Sequence, residues 1–437
     1  MSEDVIKIKV TEVSTARSRL VAVSGVIASS TIGAFASGSL FAYIPVKLLS
    51  IGFEPWVASA MLPAVAFGGL AGCFATGPLL RLVGHARVFM LLYAVMVMTM
   101  LAISYFESPY AWLVARMCYG FAINGIFIVA QSWLHYASTD EIRGKVITTF
   151  YIAYVVALGF GSFVAGQMDI TGNTVPILAT AVVAMAMIPV GLTRLPQPEA
   201  PEAIAVNIRK VWKISPVGLA GMFAVGGATM LMQSMAPIYT TSLGFGPADV
   251  GLLMFLMQVG LIAIQMPMGA LSDRIDRRIV LALVSLGSVI VAGVAFGAHG
   301  AASLLMLIVV FSLWNGFNET VYSVSSALAN DRADPADYVM LSSTQMIAWS
   351  ISAFIIPSIA TIILAFLPIQ FFMPMGMLIS ATFLLFVLYR MRQRQDVEME
   401  DKESFQTVTA QVAYPGDYSN PDAYEDEDAG TSEGLVH

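Results

Sequence analysis

The chain has 437 residues, 57% of them hydrophobic and 12% charged, with a mean hydropathy of +0.77. Soluble globular domains carry charge on about a quarter of their residues, so composition excludes one and makes lipid the solvent for most of this chain. The net charge of -7 is uneven, because residues 396–437 balance to -11 and the remainder to +4. No nucleic-acid partner and no cofactor are expected. Cys73 and Cys118 lie in apolar stretches of different predicted helices, where a cysteine behaves as a small buried hydrophobe, so neither a disulfide nor a metal site is predicted.

Residues 1–19 are polar, mixed in charge, and read as an N-terminal tail. Twelve apolar stretches follow, each close to the about 20 residues that cross a bilayer as a helix. The first six cover residues 20–44, 56–80, 88–105, 111–134, 146–168 and 175–193. The opening stretch is too long for a signal-peptide core and reads as an uncleaved span. Residues 194–215 hold three prolines, two acids and four bases, the one internal segment polar enough to link two halves. The second six cover residues 216–239, 250–271, 279–298, 302–327, 339–365 and 369–389, and an acidic tail follows over 390–437. Being short of aliphatic residues, that tail is expected to be disordered. The fold class is therefore all-α integral membrane, with six-helix bundles over 20–193 and 216–389.

Charge tests the count. Threading the spans alternately puts 20 of the 22 Lys and Arg on one side, leaving only Lys47 and Arg116 apart. Basic residues favour the cytoplasmic side, so both chain ends are expected there, in the inner membrane. One span too many or too few would scatter these charges over both faces.

The halves also echo one another. Gly77-Pro-Leu-Leu-Arg-Leu-Val-Gly-His-Ala-Arg87 aligns with Gly269-Ala-Leu-Ser-Asp-Arg-Ile-Asp-Arg-Arg278 at an offset of 192, and Asn124 on the fourth span faces Glu319 on the tenth at 195. Repeated bundles with a binding site between them are a common build for membrane transporters.

These residues resemble the major facilitator superfamily over nearly all of 20–389. The second echo, Gly269-x-Leu271-x-Asp273-Arg274-x-x-Arg277-Arg278, is similar to that family's cytoplasmic gate motif. The first copy departs from it, with Arg81 where the family usually has an acid. Trp112-Leu-Val-Ala-Arg116-Met-Cys-Tyr-Gly120, then Gln131-Ser-Trp-Leu134 and Arg143-Gly-Lys145, resembles the YcaD-type branch, as does the run from Tyr322 to Asp331. In that branch an acid usually stands where this chain has Gln131, so a proton site there is not implied. The resemblance implies the major facilitator fold, a gate formed by Gly77, Arg87, Gly269, Asp273, Arg274 and Arg277, and a central cavity lined by the first, fourth, seventh and tenth spans. Arg332 is a candidate partner for Asp273.

A charge at mid-bilayer costs about 2.5–3.5 kcal/mol on insertion scales and persists where it faces protein or water. Arg116 and Glu319 are the two deep ionisable groups, at different depths. At 100° per residue, Arg116, Asn124, Phe127 and Gln131 form one stripe, and Asn315, Glu319, Tyr322 and Ser326 another. By resemblance both face the cavity. For Arg116 a second reading stands beside this, helix packing with Gly120 allowing close approach. Gln233, Gln258 and Gln265 are secondary candidates that could equally bond to neighbouring helices. The methionines Met230, Met232, Met235, Met254 and Met257 read as gap-fillers between sliding helices.

No Gly-x-x-x-x-Gly-Lys-Ser/Thr loop is present, so a solute or ion gradient would supply the energy. The expected function is a secondary active transporter of a small organic solute, working by alternating access, coupled to protons through Glu319, and monomeric. No catalytic constellation is present, so the chain is not expected to be an enzyme. The alternatives are an uncoupled facilitator and a receptor or scaffold that kept the fold and uses the acidic tail as its contact.

Overall fold

A computed structural model of the protein describes residues 2–138, 140–169, 172–192, 206–299, 303–334 and 337–393. Among these it contains thirteen α-helices, one short 3-10 turn at Ile369–Phe371 and no strand. The first half holds α1 (Ser2–Ser50), α2 (Pro55–Val83), α3 (His85–Tyr105), α4 (Pro109–Ala137), α5 (Asp140–Gly166) and α6 (Thr174–Leu192). A short helix, α7 (Ile208–Ile214), precedes the second half: α8 (Pro216–Ser242), α9 (Pro247–Ser272), α10 (Arg277–Gly297), α11 (Leu304–Asn330), α12 (Tyr338–Leu364) and α13 (Phe372–Met391). All but α7 are long and apolar enough to cross a membrane, which gives twelve candidate spans.

Lipid offers the backbone no hydrogen bonds, so helices that satisfy their own are the form apolar runs of this length adopt. Proline opens α2, α4, α8 and α9, at the position where its missing N–H is harmless. Helix α1 runs unbroken from Ser2 and takes in the segment that polarity marks as a tail. Of the expected linker and C-terminal tail, residues 193–205 and 394–437 lie outside the described residues.

Within the first half α1 packs on α5 and α6, α2 on α4, and α3 on α4 and α6; in the second, α8 packs on α12 and α11, α9 on α11, and α10 on α11 and α13. The matching pairs α2–α4 and α9–α11 both approach backbone to backbone at glycine. A Cβ on Gly120 would stand 2.0 Å from the Val65 carbonyl oxygen, and one on Gly260 2.6 Å from that of Ser312. Such contact of small residues is the usual glue between helices in lipid.

The cores are distributed unequally across the bilayer. One hydrophobic cluster joins the first half to one end of the second, through residues such as Met232, Met235, Tyr239, Leu253 and Phe311. The opposite end of the second half, where α9 turns into α10, has its own core, including Val225, Val284, Tyr322, Leu328 and Trp349, to which the first half contributes only Ala66 among its buried members. The five methionines named above are all buried.

Candidate functional site

Arg116 lies seven residues into α4, hence about 10 Å below its outer end at 1.5 Å per residue. Only 1% of it is exposed. Its guanidinium sits over the rings of Tyr119, 4.5 Å to the centroid, and Phe41, 5.5 Å, while Nε and Nη1 make no hydrogen bond. With Gln233, Ser234 and Met254 from the second half it lines a cavity of about 20 Å³, room for about one water molecule. Beside it the Ser234 hydroxyl donates to the Ser59 carbonyl across the seam at 3.0 Å. Further round, Gly251 of α9 meets α5 so closely that a Cβ would come 2.6 Å from the Ser162 carbonyl oxygen. On this side the halves meet closely, with a cavity of about 200 Å³ left between Glu54, Trp56 and Ser59 of the first half and Met235, Thr361 and Leu364 of the second.

A second polar group lies deeper. Glu319 is fifteen residues into α11, about 22 Å down, and 4% exposed. The Thr229 side chain of α8 faces its carboxyl, and Tyr151 and Tyr322 lie within electrostatic reach of it. The Tyr151 hydroxyl of α5 donates to Gln265 Oε1 of α9, whose Nε2 donates to Ser323 Oγ of α11. This chain of polar groups crosses from one half to the other. Tyr322 also approaches Cys73 of α2, and Asn124 Nδ2 donates to that sulfur at 3.7 Å. The expected residues Asn124, Glu319 and Tyr322 therefore meet at the middle of the seam.

Others stand apart. Gln131 is two turns further along α4, 7% exposed, with Nε2 unpartnered. Asn315 donates to the Met257 carbonyl at 3.0 Å, tying α11 to α9. Gln258 lies against Gly159 where α5 and α9 touch. No ion pair between Arg116 and Glu319 occurs among the described residues. Tyr151, Thr229 and Ser323 carried no sequence signal beyond being polar atoms in apolar spans.

At the turn between α9 and α10, Arg277 is fully buried. Its Nε donates to Asp331 Oδ2 at 2.7 Å and its Nη2 to Oδ1 at 3.2 Å, while Nη1 reaches Asp273 at 3.4 Å and Ser272 at 3.2 Å. Asp331, next to the expected Arg332, is a partner the sequence reading did not single out. Gly269 is buried at the end of α9, and Arg274 follows in the turn. In the first half Gly77 has open space around it, and Arg87 is exposed.

Residues 217–414 match the family model described as Major Facilitator Superfamily. A protein named "Uncharacterized MFS-type transporter YcaD" from Escherichia fergusonii is 22% identical over 339 residues, covering 75% of this chain and 87% of its own length. The protein of that name from Salmonella enteritidis PT4 is 21% identical over 325 residues, covering 74% and 83%. Among solved structures, the nucleoside transporter NupG superposes with a TM-score of 0.71 at 10% identity, over 85% of this chain and 100% of that one. A D-xylose-proton symporter gives 0.68 at 11%, over 87% and 98%.

Proposed function

We propose, from the premise that this chain is a major facilitator superfamily protein resembling the YcaD-type branch, that it carries a small organic solute across the inner membrane with Glu319 as its proton-coupling group. Secondary transport follows from the family, whose fold it shares with a nucleoside transporter and a sugar–proton symporter. The observation that carries the proposal is the unequal seam. On the outer side the halves share one core, interrupted by cavities of about 20 Å³ at Arg116 and about 200 Å³ at Ser59 and Met235; on the cytoplasmic side the second half keeps a core of its own. A rocking motion that exchanges this pattern between the two faces is alternating access.

In this reading Glu319, buried beside Thr229 and Tyr322, is the group whose charge the seam tolerates in one arrangement and rejects in the other. The Tyr151–Gln265–Ser323 chain registers the halves around it. Arg116, with two unpaired nitrogens and flanking aromatic rings, gives the outer part of the cavity a preference for an anionic or amphipathic solute. Both chain ends face the cytoplasm, Asp273, Arg277 and Asp331 hold the cytoplasmic end of the second half, and the monomer is the working unit.

A thermal-shift screen of organic acids, nucleosides and sugars supplies a transported probe, because a ligand stabilises the form it binds. In proteoliposomes, flux of that probe is expected to follow an imposed pH gradient in the wild type. In Glu319→Gln, counterflow of the probe should persist while the response to the gradient is lost. A variant as gradient-driven as the wild type would refute the coupling role. After deletion of the residues past Lys402 a transporter should still move the probe, whereas a scaffold that does not transport should lose its partner.

A further inference from the structure

Helix α7 is the one helix with no span to make, and its faces are sharply sorted. Val211 is fully buried against Leu219, Ala329 and Leu341 at the cytoplasmic ends of α8, α11 and α12. Two polar ties lock it there: Lys210 Nζ pairs with Asp337 at 2.6 Å, and the Asn207 N–H donates to Thr344 Oγ1 at 3.1 Å. The rest of the helix is left outward, with Ile208 56% and Trp212 47% exposed and Arg209 and Lys213 exposed beside them. At 100° per residue, Ile208 and Trp212 form one sector and Arg209 and Lys213 the next.

The position of Trp212 fixes what this surface meets. Its ring lies 5.9 Å from that of Phe386 on α13. Phe386 is five residues before the end of α13, about 8 Å above the cytoplasmic end of that helix. The neighbouring residues Leu385, Leu388 and Tyr389 are 66%, 44% and 58% exposed, the signature of a flank turned to lipid. Trp212 thus reaches the depth at which tryptophan and tyrosine prefer to sit, between hydrocarbon and headgroups. One turn beyond Phe386 on the same face stands Arg390, followed by Arg392. Arg209 and Lys213 flank Trp212 on α7, and Arg390, whose Nη1 donates to Gln393 Oε1 at 3.0 Å, stands one turn past Phe386 on α13 with Arg392 two residues on, so the elements that carry the aromatic pair also carry four cations.

We infer that α7 and the end of α13 form a binding site for the headgroup of an anionic phospholipid of the cytoplasmic leaflet. Basic side chains near an anionic surface each strengthen binding about fivefold, and guanidinium groups suit a phosphodiester bidentately. Ile208 and Trp212 set the depth by burying apolar surface beside the acyl chains. The site couples lipid to the structure, because α7 is fastened to α8, α11 and α12 by Val211 and Lys210. The chain's own acidic stretch after residue 395 is the competing occupant, and the exposed Trp212 and Ile208, which an acidic peptide would not need, favour the lipid.

The test is native mass spectrometry of the full chain with phosphatidylglycerol titrated into a phosphatidylcholine background. Wild type is expected to retain phosphatidylglycerol selectively, and Arg209→Gln/Lys213→Gln to bind it about 25-fold more weakly. The control variant Arg81→Gln/Lys145→Gln, which removes two exposed cations from the first half, should bind as wild type. Equal binding by the α7 variant, or an equal loss in the control, would overturn the proposal. Displacement by inorganic phosphate would assign the site to a free anion, and binding that appears only after deletion of residues 403–437 would assign it to the tail. Either of those outcomes also overturns it.

Discussion

At the α9–α10 turn of the second half, Asp276 caps α10 by accepting from the Arg278 N–H at 2.8 Å, and its carboxylate also pairs with the Arg278 side chain at 2.6 Å. Next to it Arg277 is clamped by Asp331 and Asp273. The offset of 192 carries these two positions onto Gly84 and His85 in the first half. There Gly84 turns the chain with φ 80 and ψ 164, and His85, 2% exposed, meets the Ser132 hydroxyl at 3.0 Å and lies tilted at 41° to the Trp133 ring, 5.9 Å between centroids. The corresponding turn is built once from charges, over residues 273–276, and once from the single glycine Gly84 with a hydrogen bond between His85 and Ser132. Backbone and chemistry have both diverged, since Gly84 has φ 80 where Asp276 has φ -56, and the second-half turn is the one held by the Arg277 and Arg278 ion pairs.

The strongest way to break this contrast is to strip the second-half clasp of its acid. Arg277 and Asp331 have side chains 0% and 1% exposed, and removing one partner of a buried pair costs about 3–5 kcal/mol, of which the remaining contact to Asp273 at 3.4 Å offsets a part. Asp331→Ala is therefore expected to lower the apparent melting temperature sharply and to reduce membrane yield. Replacing Arg277 and Asp331 together by apolar residues of similar volume should recover most of the loss, because the pair's desolvation is removed with it. If Asp331→Ala melts like the wild type, the clasp is not what holds that end of the second half.

The matching test in the first half acts on backbone. Gly84 occupies a φ/ψ region that is essentially closed to other residues, where occupancy costs about 1–3 kcal/mol. Gly84→Ala should destabilise by that amount, whereas Asp276→Gly, at a turn with φ -56, should cost only the cap and the Arg278 pair. Equal effects of the two substitutions, read as melting shifts in one detergent, would mean that both turns rest on the same device.

How much of this could be read from the sequence follows from which physics was local. The twelve spans were legible because lipid leaves an apolar run few alternatives, and Glu319 stood out as a lone carboxyl in such a run. The Tyr151–Gln265–Ser323 chain did not, because its partners lie 114 and 58 residues apart and helical periodicity gives a face without naming the neighbour across it. Asp331 looked like an ordinary loop acid at the end of a span. Its partner Arg277 is nevertheless fully buried. Trp112, near the start of α4, is 2% exposed and donates its indole N–H to the Phe106 carbonyl. Burial of that kind depends on the packing of α4 against its neighbours, which no window of sequence contains.

The smallest expected effect sharpens the comparison most, since it asks whether the first-half clasp carries weight at all. The His85–Ser132 contact joins two neutral groups, and a neutral hydrogen bond of this kind contributes about 0.5–1.5 kcal/mol net. Ser132→Ala removes the hydroxyl and leaves the imidazole against Trp133, so the melting temperature should fall by a small fraction of the Asp331→Ala shift. Ser132→Asp, which places an acid beside the position homologous to Arg277, should interact favourably with His85→Arg and unfavourably with His85→Ala. A double-mutant cycle over these substitutions measures the coupling directly. Strong coupling in the designed pair alongside near-zero coupling in the native one would show that the first half retains the geometry of an ionic clasp whose charges it does not use. No coupling in either would mean that the two turns share only their place between corresponding helices.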